Sequence, residues 1–227
     1  MNIVWLALEG ICNQIAFEKF ELIIHEEKEK GCGEAYYRSY EKRLELVGCS
    51  LKYIQAKERT PLSVKWLEIA EHANPYSIGL CLQGSDDFAE PHRVQTAFEQ
   101  LHDYDWSQNR FGLFYNIPDG KTMVQDYNLG QFKTGTNIAI NMEVAKKLPY
   151  EEVWRGVDTW LFDRCNPKKI LTNESDNWKK GLFTQGLNTL SNRNFDNIVP
   201  PYLPTDLKPD LPDKIIQRLN DYNRVHS

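Results

Sequence analysis

"SIGLCLQGSDDFAEPHRV", Ser77 to Val94, runs an apolar segment straight into two adjacent aspartates, Asp86 and Asp87, with a proline and a helical pattern behind them. The segment Ser77–Gln83 is apolar on both faces, the pattern of an interior parallel strand rather than of a strand with one wet face. Two neighbouring carboxylates disfavour each other's ionised form unless a cation sits beside them. At the mouth of a buried strand the pair is therefore either a solvated turn capping the next helix or a metal-holding pair. The dipeptide alone favours the turn. The buried strand before it and the order of the surrounding segments favour the metal.

Working outward, "KFELIIHE" and "SLKYIQ" read as short strands. "GEAYYRSYEKRLELVG" sets Tyr36, Tyr40, Leu44 and Val47 at helical spacing, and "PLSVKWLEIAEHA" opens on a proline, tolerated in a first turn, with Val64, Leu67 and Ala70 on one face. "EPHRVQTAFEQLHD" reads as a helix with Val94, Ala97, Phe98 and Leu101 inward. "NIVWLAL" is a strand or the opening turn of a helix. The strand reading is preferred, because a central strand is not easily left out of a packed sheet. Strands separated by helices of this length predict a doubly wound α/β domain.

The second half changes character. "RFGLFYNI", the turn "PDGK" and "TMVQDY" predict an antiparallel hairpin. "GTNIAIN" reads as a strand, and "MEVAKKL" and "GVDTWLFDRC" as short helices. From Asn192 the chain reads as loop, with five prolines up to Pro212 predicting an extended surface wrap before the terminal amphipathic helix "DKIIQRLNDYNRV". With no internal repeat or low-complexity linker, residues 1–227 are read as one domain, with a Pro-rich stretch over about 192–213.

Composition narrows the function classes. A chain of 227 residues can bury a substantial core, and 41% apolar content is ordinary for a globular protein. A net charge of -5 gives no support to long-range attraction toward nucleic acid or anionic lipid. The apolar runs are too short to span a bilayer, and the N-terminus makes a poor signal peptide. Five scattered cysteines without a C-x-x-C pair read as reduced thiols, several of them core residues. A cytoplasmic location is expected.

The order of these segments resembles the family 2 type glycosyltransferases of the GT-A fold. "ALEGICNQIAFEKFELIIHEE" is similar to that family's first helix, ending in Asn-Gln, and the apolar strand after it. "LCLQGSDDFAEPHRV" is similar to its strand and D-x-D region. "GTNIAINMEVAKKL" and "GVDTWLFDRC" are similar to its acceptor-side segment and the helix bearing the catalytic acid. The resemblance covers roughly Val4 to Cys165. Two departures stand out: Gly84 replaces the usual first aspartate of D-x-D, and the N-terminus looks short, so that the first strand is missing if "VWLALEGICNQ" is the first helix, or the first helix is shortened to about two turns if "NIVWLAL" is the strand.

The resemblance implies a nucleotide-diphospho-sugar transferase fold, a mostly parallel mixed sheet flanked by helices. It implies Asp86 and Asp87 as ligands of Mn²⁺ or Mg²⁺, hard cations suited to carboxylates and diphosphate oxygens. Asp158, in "GVDTW" at a helix start, becomes the base that takes the acceptor's proton, although an ordinary capping role is equally compatible. Gly84, Ser85, Lys65 and Trp154 are candidates for donor or acceptor contacts. Gln185 and Asn188 lie in "WKKGLFTQGLNTLSNRN", a stretch suited to folding over a diphosphate. The implied donor is a UDP-hexose and the implied reaction is inverting; the acceptor is a glycan, a protein or another hydroxyl compound. Two alternatives stand beside this reading: a non-catalytic sugar- or nucleotide-binding module of the same fold, and a nucleotidyltransferase, for which "LEGICNQ" makes a poor phosphate loop.

Overall fold

The computed structural model describes residues 3–28, 31–128, 137–154, 156–185 and 202–226. Helix α1 (Trp5–Cys12) leads to strand β1 (Phe20–Glu27), and the short helices α2 (Glu34–Arg38) and α3 (Glu41–Leu46) lead to β2 (Cys49–Ala56). Helix α4 (Leu62–His72) precedes β3 (Gly79–Cys81), and α5 (Arg93–Gln100) precedes β4 (Trp106–Asn109). The hairpin β5 (Phe111–Asn116) and β6 (Thr122–Asp126) follows, then β7 (Ile138–Asn141), α6 (Met142–Ala145), α7 (Val157–Cys165) and β8 (Ile170–Asn173). A 3-10 turn (Asp176–Lys180) precedes β9 (Phe183–Gln185), and β10 (Tyr202–Pro204) precedes α8 (Asp213–His226).

Among the described residues the strands form three hydrogen-bonded groups: β1–β2, β3–β7–β4–β8 and β10–β6–β5–β9. β1 and β2 are parallel, in register from Phe20 opposite Cys49 to Glu27 opposite Ala56. β4–β8 and β5–β9 are also parallel, while β3–β7, β4–β7, β5–β6 and β6–β10 are antiparallel. This is a mixed α/β architecture of open mixed sheets with helices. No helix among the described residues is long and apolar enough to cross a membrane.

Several expectations change. "NIVWLAL" is not a strand: Trp5 opens α1, whose residues Trp5 to Ile11 are all buried. A short apolar run that is buried all round carries no period that separates strand from helix. Gly10 permits the close packing of α1, since a Cβ there would lie 2.6 Å from the Ala89 backbone nitrogen. The predicted helix over 33–48 is two helices, and at the break Ser39 Oγ donates to the Tyr36 carbonyl, a local bond that competes with helix propagation. The Ser77–Gln83 segment is not an interior parallel strand here. β3 is hydrogen-bonded only to antiparallel β7 among the described residues, and all three of its residues are half-buried. β4, β8 and β10, too polar or too short to register as strands, also pair. Of the Pro-rich stretch, residues 192–201 lie outside the described residues.

The apolar cores match the layers. Trp66 and Ala70 of α4 pack with Leu82, Trp106, Ile138, Ile140 and Leu161. α1 contributes Trp5 and Leu6 to a second core shared with Phe88, Leu113 and the α8 residues Ile215 and Leu219.

Candidate active site

Two hydrogen bonds set the direction of the strands around the site. At one end of α4, Lys65 Nζ donates to Glu27 Oε1 at the end of β1, 2.9 Å away. Just past the other end, the Asn74 amide donates to Glu21 Oε1 near the start of β1, 3.2 Å away. α4 therefore runs antiparallel to β1. β3 begins a few residues after Asn74, so it runs the same way as β1, and both strands present their carboxyl ends at one edge. Ligands of open α/β sheets bind outside that edge. A cavity of about 960 Å³ reaches it, with Lys65, Gly84, Ser85, Asp86, Asp87 and Asp158 among its walls.

The two aspartates have different surroundings. Asp87 is buried, and its Oδ1 accepts the Thr184 amide N–H at 3.0 Å. Gln83 Nε2 donates to the Asp87 carbonyl at 2.8 Å, and Thr184 Oγ1 donates to the Asp86 carbonyl. Phe88 and Leu182 exchange both backbone hydrogen bonds, at 2.8 and 2.9 Å. The turn is thus clamped to the start of β9. Asp86 is half-buried beside it. Burial pushes its carboxyl above the ordinary value of 3.8, with its own backbone N–H acting in the opposite sense. Among the described residues no Lys, Arg or His forms a salt bridge with Asp86, and no group of three or more His, Cys, Asp or Glu side chains is assembled to hold a metal. A cation at Asp86 would thus take one or two carboxylates from the protein and its other ligands from a bound phosphate and water, a mode suited to Mg²⁺.

Asp158 lines the same cavity. Gly156 adopts a left-handed conformation (φ 63°) before α7, and Asp158 stands half-buried in the first turn of that helix. A helix N-terminus stabilises the carboxylate form. Lys65 lines the cavity but is held by Glu27. Burial works to raise the Glu27 carboxyl, yet the Lys65 hydrogen bond and charge, with the Thr60 amide and Arg59, bring it below the usual range. Trp154 does not join the site: it is half-exposed, carries the Arg59 guanidinium 4.8 Å from its ring centroid, and is not a cavity wall. The backbone of Gln185 pairs with Asn116 in the β5–β9 ladder. Asn188 lies outside the described residues.

Other residues that shape the site were not singled out in the sequence. The Glu26 carboxylate accepts the Cys32 and Gly33 amides and the Tyr37 and Tyr53 hydroxyls, tying down the loop after β1. Buried Arg93 donates to the Leu82 and Ile138 carbonyls, holding the end of β3 against β7. Gln14 links α1 to the next layer, donating to the Gly10 and Glu90 carbonyls and accepting the Val94 amide. Acidic Glu26 on a strand and an arginine behind Pro91 were the available signals, but each depends on partners distant in sequence.

No family model and no curated protein matches this sequence. Among solved structures, the chain is similar to the crystal structure of HddC from Yersinia pseudotuberculosis, with a TM-score of 0.43 and 8% identity over 69% of each chain. A likeness at this level carries no argument about function.

Proposed function

We propose that the chain is a metal-dependent glycosyltransferase of GT-A type, moving a hexose from a UDP-sugar to an acceptor hydroxyl with inversion. One observation carries the reading: half-buried Asp86, with its carboxyl pushed up by burial and with no cationic side chain paired to it among the described residues, lines the same cavity as Asp158 beyond the carboxyl ends of β1 and β3. A Mn²⁺ or Mg²⁺ ion supplies neutralisation of the diphosphate leaving group. Asp86 holds it, and Asp87 braces the turn that presents Asp86. Asp158 takes the acceptor's proton as the new glycosidic bond forms and the sugar–phosphate bond breaks, releasing nucleoside diphosphate. Gly84 and Ser85 line the donor side through backbone and hydroxyl groups.

A non-catalytic binding module is the second reading, favoured by Gly84 at the D-x-D position and by the structural engagement of Asp87. Metal-dependent hydrolysis of UDP-glucose and related donors separates the two. The enzyme reading predicts slow donor hydrolysis that is lost on Asp86→Ala, and the binding-module reading predicts none in the parent protein.

A further inference from the structure

A second, much smaller cavity of about 10 Å³ lies where the segment opening α5 meets β4 and β7, with Glu90, Arg93, Thr96, Ser107, Gln108 and Ala139 among its walls. Roughly 10–15 Å³ is the room one water needs, so the space matches a single water. Two opposite charges border it. Arg93 and Glu90 are only 8% and 4% exposed, so bulk water solvates neither. Arg93 Nη2 donates to the Leu82 and Ile138 carbonyls at 3.3 and 2.6 Å, but its Nε is buried and has no hydrogen-bond partner among the described residues. A buried charged donor left unpaired is costly, and such groups ordinarily find protein or ordered water. The His92 amide donates to Glu90 Oε2 at 2.8 Å. Burial pushes the Glu90 carboxyl above the ordinary 4.5, with the His92 amide and the Arg93 charge acting in the opposite sense. Arg93 is thus near enough to act on Glu90, yet among the described residues no direct salt bridge joins the two side chains.

The chemistry of the walls identifies what fits. A cation is repelled by Arg93 and an anion by Glu90, whereas a neutral molecule that both accepts and donates suits the space between them. Water accepts from Arg93 Nε and donates one hydrogen to the Glu90 carboxylate. Ser107 Oγ, whose own hydrogen goes to Gln100 Oε1, keeps acceptor capacity for the second. Three bonds are the usual complement of a buried water, and polar walls separate this site from the apolar cavities that stay dry. We propose that one buried water bridges Arg93 Nε and the Glu90 carboxylate, completing a water-mediated ion pair that closes the base of the loop from 83 to 89. Arg93 grips Leu82, the residue before that loop, and Glu90 follows it. The Arg93 amide also donates to the Glu90 carbonyl at 3.1 Å, and the same carbonyl accepts Gln14 Nε2 from the end of α1 at 2.8 Å. The bridge therefore fixes both ends of the loop that carries Asp86 and Asp87, whatever Asp86 binds.

The test needs no donor or metal, so it stands apart from the proposed function. Crystals of the 227-residue chain, grown once without halide and once with bromide, read the site directly at a resolution that shows ordered waters. The proposal expects one ordered water within about 2.7–3.2 Å of both Arg93 Nε and a Glu90 carboxylate oxygen in each crystal, and no anomalous bromide signal there. A bromide peak, a direct Arg93–Glu90 salt bridge or a site without density overturns it. In solution, Glu90→Gln, Arg93→Met and the double variant form a cycle read by amide exchange at Phe88 and Thr184, whose N–H groups bond Leu182 and Asp87 and clamp the turn. Each single variant should speed exchange at these two amides about tenfold or more, leaving Ile23 and Ile54 of the β1–β2 pair unchanged. Arg93→Met also frees two carbonyls, so the coupling, rather than the size of either effect, is decisive. The double variant should exchange clearly more slowly than the product of the two single effects, because it leaves neither charge buried alone. Strictly multiplicative effects overturn the bridge, and variants too unstable to measure leave the decision to the parent crystals.

Discussion

The Thr184 amide donates to Asp87 Oδ1 across 3.0 Å, joining two residues 97 positions apart and fastening the Asp86–Asp87 turn to the start of β9. The two aspartates that look equivalent in sequence therefore do different work. Asp87→Ala removes the acceptor and leaves a buried N–H unpaired, a loss of about 1–3 kcal/mol. At roughly 2–4 °C per kcal/mol for a chain of this size, the metal-free variant should melt several degrees lower. An unchanged Tm would show that the clamp contributes nothing.

Asp86 should behave in the opposite way. A carboxyl whose folded pKa lies above its unfolded value binds more protons when folded, so it lowers stability as pH rises above the ordinary 3.8 and through the raised folded value. Without metal, Asp86→Asn should therefore melt higher than the parent at pH 7. The difference should shrink as pH falls through the raised folded value and be gone below 3.8. Melting curves of both proteins from acid to neutral pH check this, and a variant less stable at pH 7 would contradict it.

Glu9 supplies an acid-sensitive contact away from the site. Its carboxylate lies 2.6 and 2.8 Å from the two terminal nitrogens of Arg43, with Lys214 at 3.5 Å. The Arg43 hydrogen bond leads in holding its pKa below 4.5, against burial. A depressed carboxyl contributes stability that is present above 4.5 and lost as pH falls through the folded value. Because the Arg43 side chain is 42% exposed, Arg43→Met should cost only about 1–2 kcal/mol at pH 7. The cost should fade in acid. A pH-independent loss would assign it to packing.

Asp158→Asn keeps the shape and an oxygen in the first turn of α7, so Tm should hardly move. If Asp158 is the base, transfer should fall by roughly 10²–10⁴-fold while donor binding persists. Paired measurement of UDP-sugar affinity and transfer rate decides this. A parental rate would reduce Asp158 to a helix residue, and joint loss of binding and rate would move it to the donor's metal or ribose.

Sequence pattern revealed the elements with a clear period or a turn signal: β1, β2, α4, α5, the hairpin around "PDGK" and the helix of Asp158. It also brought Asp86, Asp87 and Asp158 to one list, and the structure sets them around one cavity. It failed where burial, not period, decides. "NIVWLAL" leads into a helix, α1, whose residues Trp5 to Ile11 are all buried, so no period marks it as one. The parallel neighbour expected for Ser77–Gln83 is absent among the described residues, where β3 pairs with antiparallel β7 and also lines the cavity. Trp154 lies four residues before Asp158 in sequence, but Arg59 covers its ring and it does not line the cavity. The division of labour between Asp86 and Asp87 depends on Thr184, a partner no local pattern reveals.

The central claim is that Asp86 holds the cation that binds a nucleotide-sugar in this cleft. The most direct measurement is the thermal shift of the parent protein and of Asp86→Ala with UDP-glucose and other UDP-sugars, with and without Mn²⁺. A ligand that binds only the folded state at 100 times its Kd adds about 2.7 kcal/mol. The account predicts a Mn²⁺-dependent rise of several degrees with at least one UDP-sugar in the parent and none in Asp86→Ala. An equal, undiminished shift in Asp86→Ala, or no shift with any UDP-sugar in the parent, would contradict it.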